Sequence, residues 1–561
     1  MNYCTDDERS VVQSYEQYFL GSVILSKKEG QQFIVDGQQR LTTLTLLLIH
    51  LNSIQKDDDS HIDLEPLIYS SVFGKRSFNL DIDERTEIMD SLLRKKPFDV
   101  TDCPESVQNI WDRYTDIEEY YADSPKGEEL PYFIDWLLEK VVLVEITAHT
   151  DEDAYTIFET MNDRGLSLSP TDMLKGYLIA KIGDDEAKQK AIATWKSVTH
   201  NLKNLGEDQD SDFFKAWFRA QYADTIRDRR KGAAPGDFDH IGTKFHRWIR
   251  DNSDELGLAR SQNFEQFVNR DMDFYARQYS RISEATEYYD KDLPCIYYNG
   301  SLYFTLQDPV LLAPLNIEDD TDTVVRKLKV VSRALEIMLA RRAWNWSRIT
   351  YNSMYFAMFS LIRHIRGRSV DELVTILSDY LDNQDEDFSN SAFRLTQQNR
   401  AQVHFFLARI TDYIQTQSKF STDFVNLMNY GEGTPYEVEH IWANKYERYK
   451  DEFDQKSDFE EYRNRIGGLL LLPRGFNQSY GDEAYETKVE RYLRNNLLAQ
   501  SLHEKCYEKN PDFLTFVQES GLPFIPHKLF KKSDLDQRQT LYQEVCERIW
   551  DPALLELDAR T

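Results

Sequence analysis

The sequence predicts a mainly α-helical protein with small α+β parts near its two ends. Residues 181 to about 430 contain few glycines and few strand-like runs, and their apolar residues show helical spacing, as at Val330 and Leu335. Before this region an apolar strand breaks at Asp36-Gly37 and continues into an apolar helix; after it, two strand-like runs precede a helix. These observations predict a long helical middle between two mixed segments.

The composition is typical of a globular protein. The chain has 561 residues, 41% of them hydrophobic, which is enough for several domains with buried cores. Its longest apolar runs are too short to span a bilayer and it starts without a basic-then-apolar leader, so we expect a cytoplasmic protein with no membrane partner. Its five cysteines lack CxxC spacing, which indicates reduced thiols and neither zinc nor disulfides.

The net charge of −29 argues against a surface that embraces nucleic acid throughout, because phosphate neutralisation needs clustered lysines and arginines. Local basic clusters occur at residues 227–231, 341–342 and 363–368. Each could line a DNA path or form a solvated helix face, and the second outcome is commoner for a charge run. The aromatic residues of the helical region are more typical of a core than of platforms for base stacking.

The N-terminal mixed segment begins with two strands. Residues 18–25 (YFLGSVIL) predict the first, residues 27–30 a turn, and residues 33–36 the returning strand. Residues 141–146 (VVLVEI) predict a third strand, which we expect to pair with the first two. Residues 52–130 are charged and aromatic with helical periodicity, and they predict helices joined by acidic loops.

The corner after the second strand is the first candidate site. Leucines at helical spacing predict a helix from Leu41 onwards, with its N-terminus facing a Gly37-Gln38-Gln39 loop. Free backbone N–H groups and the positive end of the helix dipole favour an anion at such a corner, and Arg40 adds a charge with bidentate geometry. The alternative is a tight turn with Arg40 paired to a surface carboxylate, and local physics favours the two equally.

A further loop precedes the helical middle. Residues 162–165 (NDRG) either end a helix, with Gly165 as its C-cap, or face the Asp36 corner. Residues 169–172 (SPTD) open the next helix, because they supply an N-cap, a proline at the first position and an acid in the first turn.

The C-terminal segment returns to mixed structure. Residues 436–442 (YEVEHIW) and 467–473 (GGLLLLP) predict two strands, and residues 483–493 predict a helix. The tail, residues 534–550, predicts an amphipathic helix that packs over this segment.

This order of elements is the layout of a ββα-metal nuclease, with Glu439-His440 at one end and Asn477 at the other. Such a site needs a neutral imidazole that takes a proton from water and oxygen ligands for Mg²⁺, which offsets charge on the scissile phosphate. A histidine with an ordinary pKa suits the first task. A lone histidine beside a strand is more commonly structural, so the Glu-His pair alone leaves both interpretations open.

Longer strings carry a family resemblance. IVDGQQRLTTL at residues 34–44 resembles the DGQQR signature of the GmrSD-like family of modification-dependent restriction proteins, and IFETMNDRGLSLS at residues 157–169 is similar to the family's second block. Three further strings resemble its C-terminal HNH domain: VEHIWANKY (438–446), NRIGGLLLLPRGFNQ (464–478) and YETKVERY (485–492). The resemblance covers roughly residues 15–180 and 400–550, with the blocks in the family's order.

The resemblance implies a nucleotide site in the N-terminal part. In that family the first domain is similar to the ParB and sulfiredoxin group, and its DGQQR loop is associated with binding and hydrolysis of a nucleoside triphosphate. By this match Asp36 and Arg40 would act in the hydrolysis of GTP or ATP. The nucleotide would be bound by Gly37, Gln38, Gln39, Arg40, Asn162 and Arg164.

The resemblance also implies a metal-dependent nuclease in the C-terminal part. Glu439 and Asn477 would be ligands of Mg²⁺ or Mn²⁺, His440 would be the general base, and Lys488 would be a phosphate contact or a structural partner. The asparagine of the family's IGNL string is Gly468 in this chain. Because that asparagine usually braces the loop that carries the general base, we expect a less efficient nuclease.

The start of the chain departs from the family as well. Relatives carry an aromatic block of the type YQRxYxW upstream of the DGQQR loop, where it helps to form the pocket, and this chain begins after that place. We therefore expect one wall of the nucleotide pocket to be missing, or to come from another segment or a partner. Nucleotide binding by the chain alone would then be weak.

The sequence thus predicts a defence protein with two sites. Residues 1–180 would form a nucleotide-dependent sensor, residues 181–400 a helical connector and residues 401–561 the HNH endonuclease. Its partners would be double-stranded, modified foreign DNA, a nucleoside triphosphate, and either a second copy of the chain or another protein of the defence system. The alternative is a catalytically impaired subunit that binds DNA or a partner and regulates such a system.

Overall fold

The computed structural model describes residues 9–28, 31–55, 61–72, 75–80, 85–101, 103–121, 127–148, 157, 169–230, 232–429, 435–475 and 482–561. Helices account for 62% of the residues and strands for 8%, which confirms the predicted fold class. The chain forms two compact units, Met1–Leu168 and Ser169–Thr561. The predicted division of the second unit at residue 400 stays a prediction.

The first unit combines a small sheet with helices. Its described helices are α1 (Gln38–Ile54), α2 (Glu65–Ile68), α3 (Thr86–Leu93), α4 (Glu105–Tyr120) and α5 (Leu130–Lys140). Its described strands are β1 (Tyr18–Lys28), β2 (Gln31–Asp36), β3 (Tyr69–Val72), β4 (Lys75–Phe78) and β5 (Val141–Ala148). A short 3₁₀ helix, Arg9–Ser14, precedes β1.

The sheet of the first unit has the order β2-β1-β5. Strand β1 pairs antiparallel with β2 and parallel with β5, which confirms that the VVLVEI segment joins the two N-terminal strands. The register of β1 shifts between Phe19 and Gly21 and again between Ile24 and Leu25. Such bulges bend a strand and re-aim the residues beside them, and both lie close to the corner where β2 ends.

The prediction of helices alone across residues 52–130 is wrong in one place, because β3 and β4 form an antiparallel hairpin there. Each strand has only four residues. A run this short does not establish a period of two against the helical spacing around it, so periodicity could not reveal the hairpin.

Helix α1 is buried on two sides. Leu46 and Ile49 belong to one apolar cluster with residues of α3 and α4, and Leu51 belongs to another with residues of α5. Two buried sides explain why the sequence from residue 44 to residue 51 is almost wholly apolar. They also fix the position of the N-terminal end of α1, which carries the candidate site.

The second unit is helical around one small sheet. Its described helices are α6 (Pro170–Ala180), α7 (Asp185–Lys203), α8 (Gln209–Gln221), α9 (Asp237–Asp251), α10 (Ser261–Gln266), α11 (Asp273–Glu287), α12 (Pro294–Ser301), α13 (Gln307–Leu312), α14 (Thr321–Trp344), α15 (Tyr351–Ile365), α16 (Val370–Asp382), α17 (Arg400–Gln417), α18 (Phe424–Leu427), α19 (Lys456–Arg463), α20 (Tyr485–Tyr492), α21 (Leu497–Gln500), α22 (Pro511–Ser520), α23 (Lys532–Ile549) and α24 (Leu554–Arg560). A π-helical segment, Phe267–Met272, joins α10 to α11. Strands β6 (Tyr436–His440) and β7 (Leu469–Pro473) form its antiparallel sheet.

Local signals placed several of these elements correctly. Ser169 caps α6 by accepting a hydrogen bond from the Asp172 backbone N–H at 3.1 Å, and Pro170 is the first helical residue, as predicted. The tail forms helix α23 and contacts β7, because the Tyr542 hydroxyl donates to the Leu469 carbonyl at 2.9 Å. The predicted tail helix is therefore confirmed.

The helical region is held together by a buried polar contact as well as by apolar packing. The Glu336 carboxylate, fully buried in α14, accepts from Arg409 of α17 at 2.9 Å and from the Trp550 indole N–H at 2.9 Å. Trp344, which follows the basic cluster at residues 341–342, is fully buried, so it belongs to the core and cannot stack on a base. No helix among the described residues is long and apolar enough to cross a bilayer.

Candidate functional site

The N-terminal corner is built on a residue that must be glycine. Gly37 lies between β2 and α1 with a φ of 98°, in the left-handed region. A Cβ atom at this position would lie 3.0 Å from Val23 Cγ2, so a side chain here would also require Val23 to shift. Helix α1 begins at Gln38, and Gln38 and Gln39 therefore form its first turn. The expectation that they form a loop before the helix is wrong, because Gly37 alone makes the turn.

Arg40 is held against the bulged strand. Its guanidinium donates from Nη1 to the Ser22 carbonyl, and Nη2 lies 3.5 Å from Asp36 Oδ2. A Cβ atom at Gly21 would lie 3.3 Å from Arg40 Nη1, so glycine leaves room for the guanidinium to lie over the strand. The structure therefore contains the pairing of Arg40 with a nearby carboxylate that was the alternative interpretation. The side chain remains 35% exposed, which leaves part of the guanidinium open to an incoming anion.

The N-terminus of α1 keeps its positive character. Among the described residues no side chain caps it, and its first turn contains no acidic residue. Gln38 uses its amide N–H₂ on the Ile34 carbonyl at 3.1 Å, and both glutamines are exposed. The corner thus combines open backbone N–H groups with one anchored arginine. Asn162 and Arg164, the other predicted nucleotide ligands, lie outside the described residues.

The C-terminal candidate site forms where β6 ends. Glu439 and His440 are its last two residues and pair with Leu470 and Leu469 of β7. The four leucines of β7 are fully buried, which anchors the sheet in the core of the second unit. Helix α20 follows β7 in the chain and brings Lys488 to Glu439, so the described elements have the predicted order of strand, strand and helix.

Glu439 and Lys488 form a buried ion pair. Lys488 Nζ lies 2.6 Å from Glu439 Oε1 and donates to the His440 carbonyl at 2.9 Å, and the Tyr492 hydroxyl donates to the same Glu439 oxygen at 3.2 Å. Burial raises the pKa of Glu439, although the charge and hydrogen bond of Lys488 act against that rise. With 2% of its side chain exposed, Lys488 acts here as a partner of Glu439 and leaves little surface for a phosphate contact.

Asn464 orients His440, a contact that the sequence did not reveal. His440 Nε2 lies 2.8 Å from Asn464 Oδ1, while Asn464 Nδ2 donates to the Glu460 carbonyl at 2.9 Å. The second bond fixes which amide atom faces the histidine, so we assign the proton to Nε2 of His440. Nδ1 then carries the lone pair that a general base needs.

His440 is neutral over the physiological pH range. Burial, and next to it the positive charge of Arg463, lower its pKa to about 3. Arg463 is held in place by donating from Nε to the Trp442 carbonyl at 2.9 Å. The site therefore keeps the imidazole in the form that accepts a proton, but with a low intrinsic basicity.

Gly468 packs closely against helix α23 in this chain. Its carbonyl accepts from the Ile441 N–H at 2.9 Å, and a Cβ atom there would meet Leu535 Cδ1 of α23 at 3.0 Å. An asparagine at residue 468 would have to displace that leucine. Asn464, at the end of α19, instead supplies an amide to the histidine. In the sequence, Asn464 lies four residues before position 468, where the family has its asparagine. No local pattern distinguishes an asparagine with this role from one that caps the C-terminus of a helix.

The carboxylate side chains near β6 are of the type that binds a divalent cation. Mg²⁺ is usually bound by one or two carboxylates together with water and substrate phosphate. The hydrogen bonds that Glu439 accepts from Lys488 and Tyr492 both end on Oε1, so among the described contacts Oε2 is the candidate ligand oxygen. Asp482 is a second, exposed carboxylate, and its pKa is lowered by a hydrogen bond from Lys445 and further by the charges of Arg448 and Lys488.

The remaining predicted ligand, Asn477, lies outside the described residues. Within the described ranges no cluster of three or more His, Cys, Asp or Glu side chains could hold a metal ion. The described cysteines (Cys103, Cys295, Cys506 and Cys546) are free thiols.

Comparison with known protein families gives two matches. Residues 5–179 match the model of the GmrSD restriction endonuclease, N-terminal domain, and residues 380–541 match that of the GmrSD restriction endonucleases, C-terminal domain. The first match contains the Asp36–Arg40 corner, and the second contains the Glu439–His440 site. A search of curated proteins found no match.

Proposed function

The chain belongs to the GmrSD restriction endonuclease family, and on that basis we propose that it cuts DNA at Glu439 and His440 with the help of a divalent metal ion. Membership makes it a restriction-type endonuclease with DNA as substrate. The metal requirement, the HNH chemistry and the control by nucleotide are parts of this proposal. The observation that carries it is the Glu439-His440 pair at the end of β6, braced from two sides by Lys488 and Asn464.

In the proposed reaction His440 is the general base. Nδ1 takes a proton from the attacking water, while the Nε2–H bond to Asn464 holds the ring in one orientation and stabilises the charge that develops on it. Glu439, Asp482 and Asn477 would hold the metal ion, with Lys488 keeping the buried Glu439 ionised. A bound Mg²⁺ supplies positive charge to the scissile phosphate and the leaving oxygen.

We expect DNA binding to make His440 a stronger base. A group with a pKa near 3 is a weak proton acceptor at neutral pH, and the positive charge of Arg463 contributes to that value. A DNA phosphate next to the ring brings negative charge, which raises the pKa of an imidazole. We therefore expect His440 to be a poor base in the free protein and a competent one in the DNA complex.

Plasmid cleavage tests the nuclease proposal. We expect supercoiled DNA to be cut in Mg²⁺ or Mn²⁺ and not in EDTA, and cutting to be lost in His440→Ala with the fold retained. His364→Ala is the matched control, because His364 is an exposed histidine of α15 outside the site. Cutting by His440→Ala at the wild-type rate would show that another residue is the base.

At the N-terminal corner we propose a site for GTP or ATP. The phosphates would lie at the open N-terminus of α1, where Gly37, Gln38 and Gln39 supply backbone N–H groups and Arg40 supplies charge. Asp36 would position Arg40, and Asn162 and Arg164 would contact the nucleotide. Nucleotide hydrolysis would license cutting of modified DNA at the second site.

Phosphate release tests the nucleotide site. We expect Asp36→Ala and Arg40→Ala to lose GTP or ATP hydrolysis. Arg94→Ala is the matched control, because Arg94 forms another i,i+4 pair with an aspartate in the same unit, at 2.8 Å from Asp90. Wild-type turnover in Asp36→Ala and Arg40→Ala would place the nucleotide elsewhere.

The regulatory-subunit alternative makes a different prediction. A chain impaired at the nuclease site would bind DNA without cutting it, in every metal and nucleotide tested. The hydrogen bond between Asn464 and His440 supports the proposal of an active nuclease in spite of Gly468.

A further inference from the structure

An exposed tryptophan lies on the surface of the second unit. Trp346 is 45% exposed, although it closely follows the fully buried Trp344. Its backbone has a φ of 55°, in the left-handed region that non-glycine residues rarely adopt. Strain of this kind persists only where the surrounding structure imposes it, and it is concentrated at functional sites. The fold therefore holds a large aromatic ring at the surface, and no step of the proposed reactions uses this ring.

An arginine covers part of the ring. The Arg394 guanidinium carbon lies 5.2 Å from the centre of the Trp346 ring. Arg394 Nη1 also lies 3.8 Å from Glu461 Oε1, in a pair whose side chains are 31% and 48% exposed. An exposed pair of this kind contributes little free energy, so the positive charge of Arg394 stays available to an incoming anion. The two side chains together offer an aromatic surface next to a cation.

The backbone beside Arg394 joins this pair to the proposed nuclease site. Arg394 forms a β-bridge with Arg465, and the Leu395 N–H donates to the Asn464 carbonyl at 2.8 Å. The side chain of Asn464 is the one that contacts His440, also at 2.8 Å. These backbone contacts fix the segment that starts at Arg394 relative to the histidine. A DNA strand cut at the histidine would therefore pass close to this segment.

A second arginine of the same segment is exposed. Arg400 is the first residue of α17, and the described first turn of that helix contains no acidic residue. The segment before it is compact, because the Asn399 side chain donates to the Arg394 carbonyl at 2.9 Å. Burial is the main cause of the low pKa of His440, and the charge of Arg400 is one of the further causes, as expected for a cation near the imidazole. Residues 394–400 thus place two arginines beside the nuclease site.

These cations contrast with the charge of the whole chain. The net charge is −29, so the average surface of the protein repels DNA. Arg394 and Arg400 lie on one segment, and Arg463 adds a third cation next to Asn464, where its Nε donates to the Trp442 carbonyl at 2.9 Å. A positively charged surface with an exposed aromatic ring is typical of proteins that bind a single strand of nucleic acid, because it contacts phosphates and bases together. The occupant that fits this surface is therefore a DNA strand.

On the basis of the proposed nuclease function, we propose that Arg394, Arg400 and Trp346 bind the DNA strand that is cut at the adjacent site. Arg400 contacts a phosphate beside the scissile one, and Trp346 stacks on a base further along the same strand. A base can reach the ring only after it has left the duplex. The surface therefore binds a single strand through the ring and the arginines, and a duplex through the arginines alone.

DNA binding in EDTA, where no cutting occurs, tests the arginine. The probes are a short fluorescent oligothymidylate and a duplex of the same length, and the readout is fluorescence anisotropy at several salt concentrations. Arg400→Ala should reduce the slope of log affinity against log salt by about 0.7 for the single strand and about 0.9 for the duplex, because one phosphate contact is lost. Arg277→Ala is the matched control, because Arg277 is an exposed arginine of α11 in the same unit. Equal slopes for Arg400→Ala and Arg277→Ala, or no binding of either probe by the unaltered chain, would overturn the proposal.

Trp346→Gly tests the ring. Glycine adopts a φ of 55° without strain, so the fold is expected to be retained. Binding of the single strand should weaken about tenfold with the salt slope unchanged, because stacking on an aromatic ring releases no counterions. Tyr303→Gly is the matched control: Tyr303 is 76% exposed and has a φ of 59°, but it lines a cavity together with Asp212 and Glu287. Equal binding of the single strand by Trp346→Gly and Tyr303→Gly would overturn the stacking role.

The result is distinguishable from the outcome for the nuclease. A chain that binds both probes as expected but cuts no plasmid in Mg²⁺ or Mn²⁺ would support this surface and contradict the nuclease proposal. A chain that cuts plasmid, but whose Arg400→Ala and Trp346→Gly variants bind both probes like their controls, would overturn this surface and leave the nuclease proposal intact.

Discussion

We expect the second unit to lose much of its stability when the charge of Lys488 is removed from its buried pair with Glu439, and to regain most of it when both charges are removed. Lys488→Met keeps most of the volume of the side chain but removes the ammonium group that lies 2.6 Å from Glu439 Oε1. Of the partners that the structure describes on that oxygen, the Tyr492 hydroxyl would then remain. Removing one member of a buried ion pair costs about 3–5 kcal/mol, because the other charge stays buried without compensation. We expect the calorimetric transition of the second unit to fall by roughly 5 °C.

The double variant Lys488→Met/Glu439→Gln tests the cause. Removing both charges should restore most of the lost stability, since no uncompensated charge remains. The loss in Lys488→Met should also shrink as the pH falls, because the pKa of Glu439 is already raised and its protonated form needs no counter-charge. Lys445→Met is the control, because its pair with Asp482 is exposed to solvent and its loss should leave the transition temperature nearly unchanged. A double variant as unstable as Lys488→Met would refute the reasoning.

The other predictions concern Asn464, Gly468 and Asp308. Asn464→Ala should slow DNA cleavage roughly tenfold or more without unfolding the chain, because His440 loses the group that orients it; an unchanged rate in a plasmid assay would exclude that role. Gly468→Asn should lower the melting temperature through its contact with Leu535, at a cost of about 1–3 kcal/mol, and should not raise cleavage; a faster enzyme would contradict the assignment to Asn464. Asp308→Asn should stabilise the protein progressively as the pH rises from 4 to 8. Burial, and next to it the charge of Asp212, raise the pKa of Asp308 in the folded protein from the ordinary 3.8 to about 7, so ionisation above pH 4 favours the unfolded wild type, by about 1–2 kcal/mol after allowance for solvent screening; a pH-independent difference in melting temperature would contradict this.

Local sequence signals predicted the corner of the first unit well. The end of β2 at Asp36 and the following helix were visible because an apolar run, a glycine and a change of period occur within a few residues. The third strand was visible as a run of valines, and its pairing with β1 is confirmed. The start of the helix was misplaced by three residues, because the apolar spacing that predicted it begins only at Leu41, whereas the helix begins at Gln38.

Contacts between distant residues were not predictable in the same way. Asn464 and His440 are separated by 24 residues, and Gly467 meets Gln539 across 72. No local period encodes such a contact, so the sequence indicated only that the family's bracing asparagine is replaced by Gly468, and not that Asn464 contacts the histidine.

The most direct test of two linked sites measures phosphate release and plasmid cutting in the same reaction, with Mg²⁺, GTP or ATP, and modified DNA. We predict that Arg40→Ala loses both activities, because hydrolysis licenses cutting. We predict that His440→Ala loses cutting but keeps hydrolysis, because Arg40 and His440 lie in different units. Cutting at the wild-type rate by His440→Ala, or nucleotide-independent cutting by Arg40→Ala, would contradict the account.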